Sequence, residues 1–120
     1  MITGILHASF ITTDLDRSRA FYEGVLGLQV NPNRPKMSYD GAWYDVAHNQ
    51  QIHILLLPNP EAGLQRPQHG GRDRHVALAV SDLAELIERL NRAGIAYTLS
   101  SSGRRALFCR DPDGNALELI

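Results

Sequence analysis

Two stretches of this sequence repeat the same order of residue types, and this repeat constrains the fold more than any other feature. His7 precedes Asp14 by seven positions, and His75 precedes Asp82 by seven positions as well. In both stretches the aspartate stands immediately before a segment with helical spacing of apolar residues. Aspartate is a preferred residue at the start of a helix. The sequence therefore predicts an internal duplication in which each copy begins with a strand and continues into a helix.

A segment rich in proline and glycine separates the two copies. Residues 58–73 contain three prolines and three glycines, which is the composition of a loop or linker. We predict a single domain, 1–120, in which a first module at 1–57 and a second module at 74–120 flank this linker. The modules have 57 and 47 residues, and a unit of this size has difficulty burying a sufficient core alone. The modules are therefore expected to pack together or to pair with a second chain.

Each module is predicted to contain one helix followed by three short strands. The helices should end at Gly27 and Gly94, because glycine tolerates the left-handed conformation that commonly follows a helix. The strands are predicted near Leu28–Val30, Ala42–Ala47 and Gln51–Leu57 in the first module, and near Tyr97–Ser100, Arg105–Arg110 and Ala116–Ile120 in the second. Each module then reads strand, helix, strand, strand, strand. The predicted fold class is α+β, with two tandem βαβββ modules.

Composition excludes several classes of function. The 12 basic and 13 acidic residues give a net charge of −1, which argues against a nucleic-acid-binding protein or a polybasic membrane anchor. The apolar runs, Ile54–Leu57 among them, are too short to span a bilayer. Cys109 is the single cysteine, so no disulfide is possible within the chain. With no visible secretory signal, these features predict a cytoplasmic protein without nucleic-acid or membrane partners.

Polar residues recur at matching positions in the last strand of each module. When the turns before these strands are aligned, His53 falls opposite Glu118, and both have apolar neighbours on each side. The first strands behave similarly, because His7 and His75 share their positions in the repeat. The residues two positions later are small in both copies (Ser9 and Ala77), which leaves room above the sheet for an ion or a ligand.

Taken singly, a strand histidine is more often a satisfied core residue, and a glutamate in a terminal strand is more often solvated. The recurrence of both pairs favours a shared site instead. Three imidazoles and one carboxylate suit a divalent ion such as Fe, Ni, Zn, Co or Mn. The predicted metal ligands are His7, His53, His75 and Glu118.

The order of four motifs resembles the vicinal oxygen chelate superfamily. The motifs are DLDRSRAFY at 14–22, LGL at 26–28, HVAL at 75–78 and RDPDGNALEL at 110–119. This superfamily includes glyoxalases, fosfomycin-resistance thiol transferases, extradiol dioxygenases, methylmalonyl-CoA epimerases and bleomycin-resistance proteins. The resemblance implies paired βαβββ modules that curve into an open barrel around a divalent metal. It also implies that the ligands come from the first and last strands of each module, where the four residues above lie.

The resemblance leaves three functions open. It favours a metal-dependent lyase or isomerase of the glyoxalase type, acting on a small oxygenated or thiol-conjugated substrate. Glyoxalases and epimerases usually carry Glu or Gln where this chain has His53, so Glu118 and His53 are the candidate catalytic residues for proton transfer. The alternatives are a metal-free protein that binds a drug or metabolite and an Fe(II) extradiol-type dioxygenase that uses His7, His75 and Glu118 as a facial triad. A homodimer is expected, and the sequence leaves two arrangements open: a site within one chain, or a site with His7 and Glu118 from one chain and His75 and His53 from the other.

Further side chains are candidates for binding a substrate, although core packing or solvation is the commoner role for such residues. Trp43 and Tyr44 face opposite ways on one strand, so only one of them can line a pocket. The predicted substrate-binding residues are Trp43, Phe108, Arg105 and Tyr97. Arg105 could bind a carboxylate or phosphate through two parallel hydrogen bonds. The remaining chemically interesting side chains, which we expect to lie outside the site, are His48, His69 and Cys109.

Overall fold

The structure of the protein, a computed structural model, describes residues 1–47 and 49–120; His48 lies outside the described residues. These residues form two compact units, Met1–Pro60 and Glu61–Ile120. Each unit contains one open four-stranded mixed sheet and one main helix. The predicted α+β class with tandem βαβββ modules is therefore confirmed.

The first unit runs strand, helix, strand, strand, strand. Its elements are β1 (His7–Thr12), α1 (Leu15–Arg19) with a π-helical continuation (Ala20–Val25), β2 (Gln29–Val30), β3 (Gly41–Val46) and β4 (Gln50–Leu56). The strand order in the sheet is β1-β4-β3-β2. β1 pairs with β4 in parallel, and the other pairs are antiparallel. The first and last strands of the unit are therefore neighbours.

The second unit repeats this topology after a single 3₁₀ turn. Its elements are the turn (Gly70–Arg72), β5 (His75–Leu78), α2 (Leu83–Arg92), β6 (Tyr97–Leu99), β7 (Leu107–Arg110) and β8 (Ala116–Leu119). The strand order is β5-β8-β7-β6, again with a parallel pair of the first and last strands. The four strands of each sheet thus correspond one to one.

Both helices begin and end as the sequence predicts. The Asp14 carboxylate accepts a hydrogen bond from the backbone N–H of Arg17, and Asp82 accepts one from Glu85, which satisfies helix N–H groups that lack partners within the helix. Gly27 follows the first helix with a φ of 72°. No helix among the described residues is long and apolar enough to cross a membrane.

The first helix differs from the prediction in its second half. From Ala20 to Val25 it is π-helical, and the Leu26 N–H bonds to the Phe21 carbonyl five residues back. Phe21 and Tyr22 are consecutive, yet both are buried and their rings meet edge to face with centroids 5.0 Å apart. An amphipathic pattern read at 3.6 residues per turn does not distinguish this wider helix from an α-helix.

In the first unit the helix covers one face of the sheet. Tyr22 stacks on Phe10 of β1 and on Tyr44 of β3, so the even-numbered residues of both strands face the helix. On β4, Ile52 and Ile54 belong to the same buried face because they pair with Ala8 and Phe10. The histidines of β1 and β4 consequently lie on the opposite face.

One predicted strand is wrong at its start. β7 begins at Leu107 rather than at Arg105. The Ala106 N–H bonds to the Arg104 carbonyl, and the Ser100 N–H bonds to the Ala106 carbonyl. This arrangement closes a turn over residues 101–105 and places Arg105 in the exposed turn before the strand.

Candidate functional site

His53 lies in a stack of three aromatic rings on the open face of the first sheet. β4 places it in register with Ser9 of β1 and Trp43 of β3. Its ring centroid is 4.0 Å from that of His7 and 4.2 Å from that of Trp43, and the planes are nearly parallel. Ser9, the small residue that was expected to leave room for an ion or a ligand, is thus the β1 neighbour of His53. His53 is 8% exposed, so it is buried although it faces away from the helix.

A hydrogen-bond chain fixes the tautomer of His53. The amide nitrogen of Gln51 donates to Asp45 Oδ1 at 3.0 Å, so the amide oxygen of Gln51 is left to accept from His53 Nε2 at 2.9 Å. Nε2 therefore carries the proton, and Nδ1 of the neutral ring carries the lone pair. Burial above all, and then the electrostatic effects of the neighbouring His7 and Arg34 side chains, lowers the pKa of His53. The ring is therefore held in its neutral form.

Glu118 occupies the matching position in the second sheet. It is in register with Ala77 of β5 and Phe108 of β7, just as His53 is with Ser9 and Trp43. The carboxylate is 5% exposed, so it is not the solvated residue that a terminal strand usually carries. Its two oxygens have different partners: Oε2 lies 3.3 Å from His75 Nε2, and Oε1 accepts from Arg104 Nη2 at 2.5 Å.

The orientation of His75 makes the pair with Glu118 suitable for a cation. His75 Nδ1 donates to the backbone carbonyl of Asp73 at 2.8 Å, so Nε2 of the neutral ring presents its lone pair to Glu118. Two lone pairs 3.3 Å apart repel each other unless a proton or a metal ion lies between them. Two ligands that each bind a divalent ion at about 2.1 Å are separated by about 3 Å. The spacing therefore fits two ligands of one ion.

Ion pairs hold the carbonyl that orients His75. The Asp73 carboxylate accepts from Arg110 Nη1 at 2.8 Å and pairs with Arg66 at 3.3 Å. The bond from Arg110 holds the pKa of Asp73 below its usual range. Arg110 also donates to the carbonyls of Pro67 and Gly114, so it ties the segment before β5 to β7. Sequence reasoning missed this network because nothing in the local spacing links position 110 to position 73.

The four predicted ligands thus form two pairs, one in each unit: His7 with His53, and His75 with Glu118. Within the described parts of the chain, no three His, Cys, Asp or Glu side chains are gathered into one cluster that could hold a metal ion. Each unit supplies half of the predicted donor set. Neutral imidazoles and a carboxylate are donors that first-row divalent ions accept, so the residues fit such an ion chemically.

A pocket of about 600 Å³ adjoins the histidines of the first unit. Trp43 lines it, whereas Tyr44 is fully buried on the helix side and its hydroxyl donates to Glu23. Sequence reasoning missed three further lining residues, because they belong to the irregular segment between β2 and β3, where no period reveals orientation. These residues are Arg34, Met37 and Tyr39.

A second pocket, of about 490 Å³, lies within the second unit and is lined by Tyr97 and Phe108 among others. Phe108 also meets the His75 ring edge to face at 5.4 Å. The backbone of the 3₁₀ turn passes so close to Phe108 that a Cβ at Gly71 would lie 3.0 Å from its ring. Arg105 is exposed and does not line this pocket, and Arg104 is the arginine that reaches the carboxylate of β8.

The residues expected to lie outside the site behave differently from one another. Cys109 is buried, and burial raises the pKa of its thiol to about 12, so the thiol stays protonated. His69 stacks obliquely near Phe108, and its Nδ1 accepts from the Gly71 N–H and so caps the 3₁₀ turn. The expectation for His48 concerns a residue outside the described part of the chain.

Comparison with known proteins found relatives in sequence and in fold. A lactoylglutathione lyase from Salmonella typhimurium is 29% identical, over 97% of this chain and 90% of its own. Glyoxylase I 4 from Arabidopsis thaliana is also 29% identical, over 98% of this chain and 70% of its own. The fold matches that of a fosfomycin resistance protein from Listeria monocytogenes, which was solved with Mn(II) and 1S,2S-dihydroxypropylphosphonic acid. The TM-score is 0.76 and the identity 20%, over 99% of this chain and 92% of the other.

A family model provides the assignment. The model described as the Glyoxalase/Bleomycin resistance protein/Dioxygenase superfamily matches residues 4–119, nearly the whole chain. The match spans both βαβββ units and every residue of the two pairs described above. This chain therefore belongs to the Glyoxalase/Bleomycin resistance protein/Dioxygenase superfamily.

Proposed function

We propose that this protein is a metal-dependent lyase or isomerase of the glyoxalase type. The observation that carries the proposal is the arrangement of His75 and Glu118, whose Nε2 and Oε2 atoms are 3.3 Å apart, a spacing that suits two ligands of one ion. The repeat supports it, because the equivalent positions of the first unit also bring two side chains together, His7 and His53.

The ligands we propose are the four residues of the two pairs, and the ion is Fe, Ni, Zn, Co or Mn. Lewis-acid stabilisation of a developing enolate or oxyanion is the chemistry that such an ion supplies when it is bound. Support comes from the Mn(II) in the fosfomycin resistance protein, whose fold this chain shares. The lactoylglutathione lyases among the relatives support a lyase acting on a small oxygenated or thiol-conjugated substrate.

Two residues are proposed to move protons. Glu118 is the one carboxylate in the donor set, and its burial beside Phe108 keeps bulk water away from it. His53 is neutral, and the Gln51 hydrogen bond leaves it one lone pair, on Nδ1, which serves either the metal ion or a proton but not both at once. When the ion takes this lone pair, Glu118 is left as the proton carrier. General acid–base transfer needs such a group with its free lone pair available at working pH.

The residues proposed to contact the substrate are found in both units. Trp43 lines the pocket beside the first pair, and Phe108 with Tyr97 lines the pocket of the second unit. Arg105 remains a proposed substrate contact only in the sense that its exposed guanidinium is available to an anionic group. We also propose a homodimer in the cytoplasm, which light scattering and cell fractionation would test.

The test measures metal in protein purified without a chelator or an affinity tag. We expect about one divalent ion for each set of four ligands. We also expect the melting temperature of the metal-free protein to rise when Mn(II) is added. A His7→Ala, Glu118→Ala double variant should lose both effects, whereas Glu88→Ala, an exposed change on α2, should keep them. Wild-type protein with neither bound metal nor a metal-induced rise would contradict the proposal.

One observation favours a second function. The first-unit pocket has apolar and aromatic lining residues, including Trp43, Tyr39 and Met37, which suits a protein that binds a drug or metabolite without metal. Ligand binding that is indifferent to metal and to both variants would favour this function. Oxygen consumption in the presence of a catechol and Fe(II) would instead favour the dioxygenase alternative.

A further inference from the structure

Arg34 is a fixed positive charge in the pocket of the first unit. It lies in the irregular segment between β2 and β3, is half-buried, and lines the pocket together with His7, His53 and Trp43. Its charge is close enough to His53 to oppose protonation of that ring. The guanidinium lies beside the proposed metal ligands, so its charge affects which ligands the pocket can bind.

Two contacts with Tyr39 hold the guanidinium in place. Nη2 donates to the Tyr39 carbonyl at 2.8 Å, and the guanidinium carbon lies 5.5 Å from the Tyr39 ring centroid. Gly41 allows the close approach: a Cβ there would lie 3.1 Å from Nη2 and 3.3 Å from Nε of Arg34 and would collide with the Ile54 carbonyl. The side chain is thus ordered before any ligand arrives, which lowers the entropic cost of binding.

No carboxylate among the described residues pairs with Arg34. The residues that line the pocket include neither Asp nor Glu. Asp45, an acidic residue of β3, already accepts hydrogen bonds from Asn31 and Gln51. A half-buried arginine without a counter-charge is unusual, because such a charge is normally paired. The pocket therefore has an excess positive charge.

The rest of the lining is largely apolar. Leu6, Met37, Trp43 and Leu55 offer carbon surface, which suits the body of a small apolar or aromatic molecule. An arginine presents parallel N–H groups that match the two oxygens of a carboxylate. A ligand with a carboxylate at one end and an apolar body therefore complements both features.

We propose that the first-unit pocket binds the carboxylate of a small apolar or aromatic acid at Arg34 and so selects anionic substrates. This inference rests on the proposed function for its meaning, because it names the substrate class of the same site. It assigns Arg34 as a specificity-determining residue. Binding of the carboxylate at Arg34 does not require a bound metal ion.

The test uses benzoate and its neutral isostere benzamide with metal-free protein in the presence of a chelator. Trp43 is the only tryptophan of the chain and lines the pocket, so its fluorescence reports binding directly. We expect benzoate to bind about tenfold more tightly than benzamide, as for a hydrogen bond to a charged group. Arg34→Gln should abolish the preference and leave benzamide binding unchanged.

Lys36→Gln is the matched control, because it removes a positive charge from the same segment at an exposed position outside the lining. It should keep the preference for benzoate. Equal binding of the two probes to the wild type, or a preference that survives Arg34→Gln, would overturn the inference. Arg34→Gln protein is compared with wild type by melting temperature, so a folding defect is recognised separately; Arg34→Lys should then restore part of the preference.

The two proposals fail independently in this design. Benzoate discrimination without metal binding would support the carboxylate site and contradict the metal-dependent function. Metal binding without benzoate discrimination would do the reverse.

Discussion

Arg104 Nη2 lies 2.5 Å from Oε1 of Glu118, on the carboxylate oxygen that His75 does not contact. The buried carboxylate thus has a positive partner on one oxygen and a lone-pair partner on the other. Arg104 is half-exposed at the edge of the turn before β7, so it can leave the carboxylate at little cost. It serves as a replaceable counter-charge for Glu118.

The first prediction concerns this counter-charge. Arg104→Gln leaves a buried carboxylate short of a partner, so the metal-free protein should melt about 4 °C lower, equivalent to about 1 kcal/mol. The stabilisation by Mn(II) should increase, because the ion no longer competes with the guanidinium. Thermal melts with and without Mn(II) measure both effects. Arg105→Gln, the adjacent exposed arginine, should change neither; equal effects at the two positions would contradict the prediction.

The second prediction concerns the tautomer of His53. Gln51→Leu removes the oxygen that accepts from Nε2, so the imidazole proton is no longer confined to that nitrogen. Loss of a partner that orients a metal-binding histidine typically weakens metal affinity about tenfold or more. Nitrogen-15 NMR of the histidine rings should report Nε2–H in the wild type and a tautomer mixture in the variant. Gln50→Leu, at an exposed neighbouring position, provides the control; an unchanged NMR spectrum for Gln51→Leu is the contrary result.

The third prediction concerns stability in acid. Glu23 accepts from Arg19 and from the Tyr44 hydroxyl, and the Arg19 bond above all lowers the pKa of Glu23. A carboxylate with a lowered folded-state pKa contributes stability that is full above its unfolded value, about 4.3, and is lost as the pH falls through the folded value. Urea denaturation at a series of pH values should show this loss in the wild type. In Glu23→Gln the free energy of unfolding should depend less steeply on pH below about pH 4.5. The same pH dependence in the variant and in the wild type would contradict the prediction.

The fourth prediction concerns the wall beside His75. Gly71→Ala places a Cβ 3.0 Å from the Phe108 ring and 3.1 Å from the His69 ring. Overpacking of this kind costs about 1–3 kcal/mol, and it should displace Phe108 from its edge contact with His75. Urea melts measure the cost, and aromatic NMR shifts of His75 report the displacement. Gly4→Ala meets nothing within 4 Å and should be neutral in both measurements.

The repeat explains how much of the fold was predictable. Capping aspartates, terminal glycines and alternating strands are local signals, and both copies carry them, so each copy supports the interpretation of the other. The equivalence of His53 and Glu118 follows from the same repeat, and the structure puts each beside the histidine of its own first strand. The sequence predicted these residues as one ligand set and did not predict this pairing within each unit.

The residues that the sequence did not reveal lie outside any period. The position of Arg34, in an irregular segment, depends on Gly41 and on the Tyr39 carbonyl. The position of Arg104 depends on the turn that makes β7 shorter than predicted. The hydrogen bond that His75 donates to Asp73 ends on a backbone oxygen. Every residue has such an oxygen, so the type of residue at position 73 does not reveal the bond. Such contacts depend on the tertiary path of loops, and amphipathic patterns do not encode that path.

The parallel pairing of first and last strands has a consequence during synthesis. His7 and His53, like His75 and Glu118, are more than forty positions apart and become neighbours only when the final strand joins the first. A nascent chain that lacks β8 cannot yet place the Glu118 carboxylate beside the His75 ring. The two side chains become neighbours only after the last strand of their unit has been synthesised.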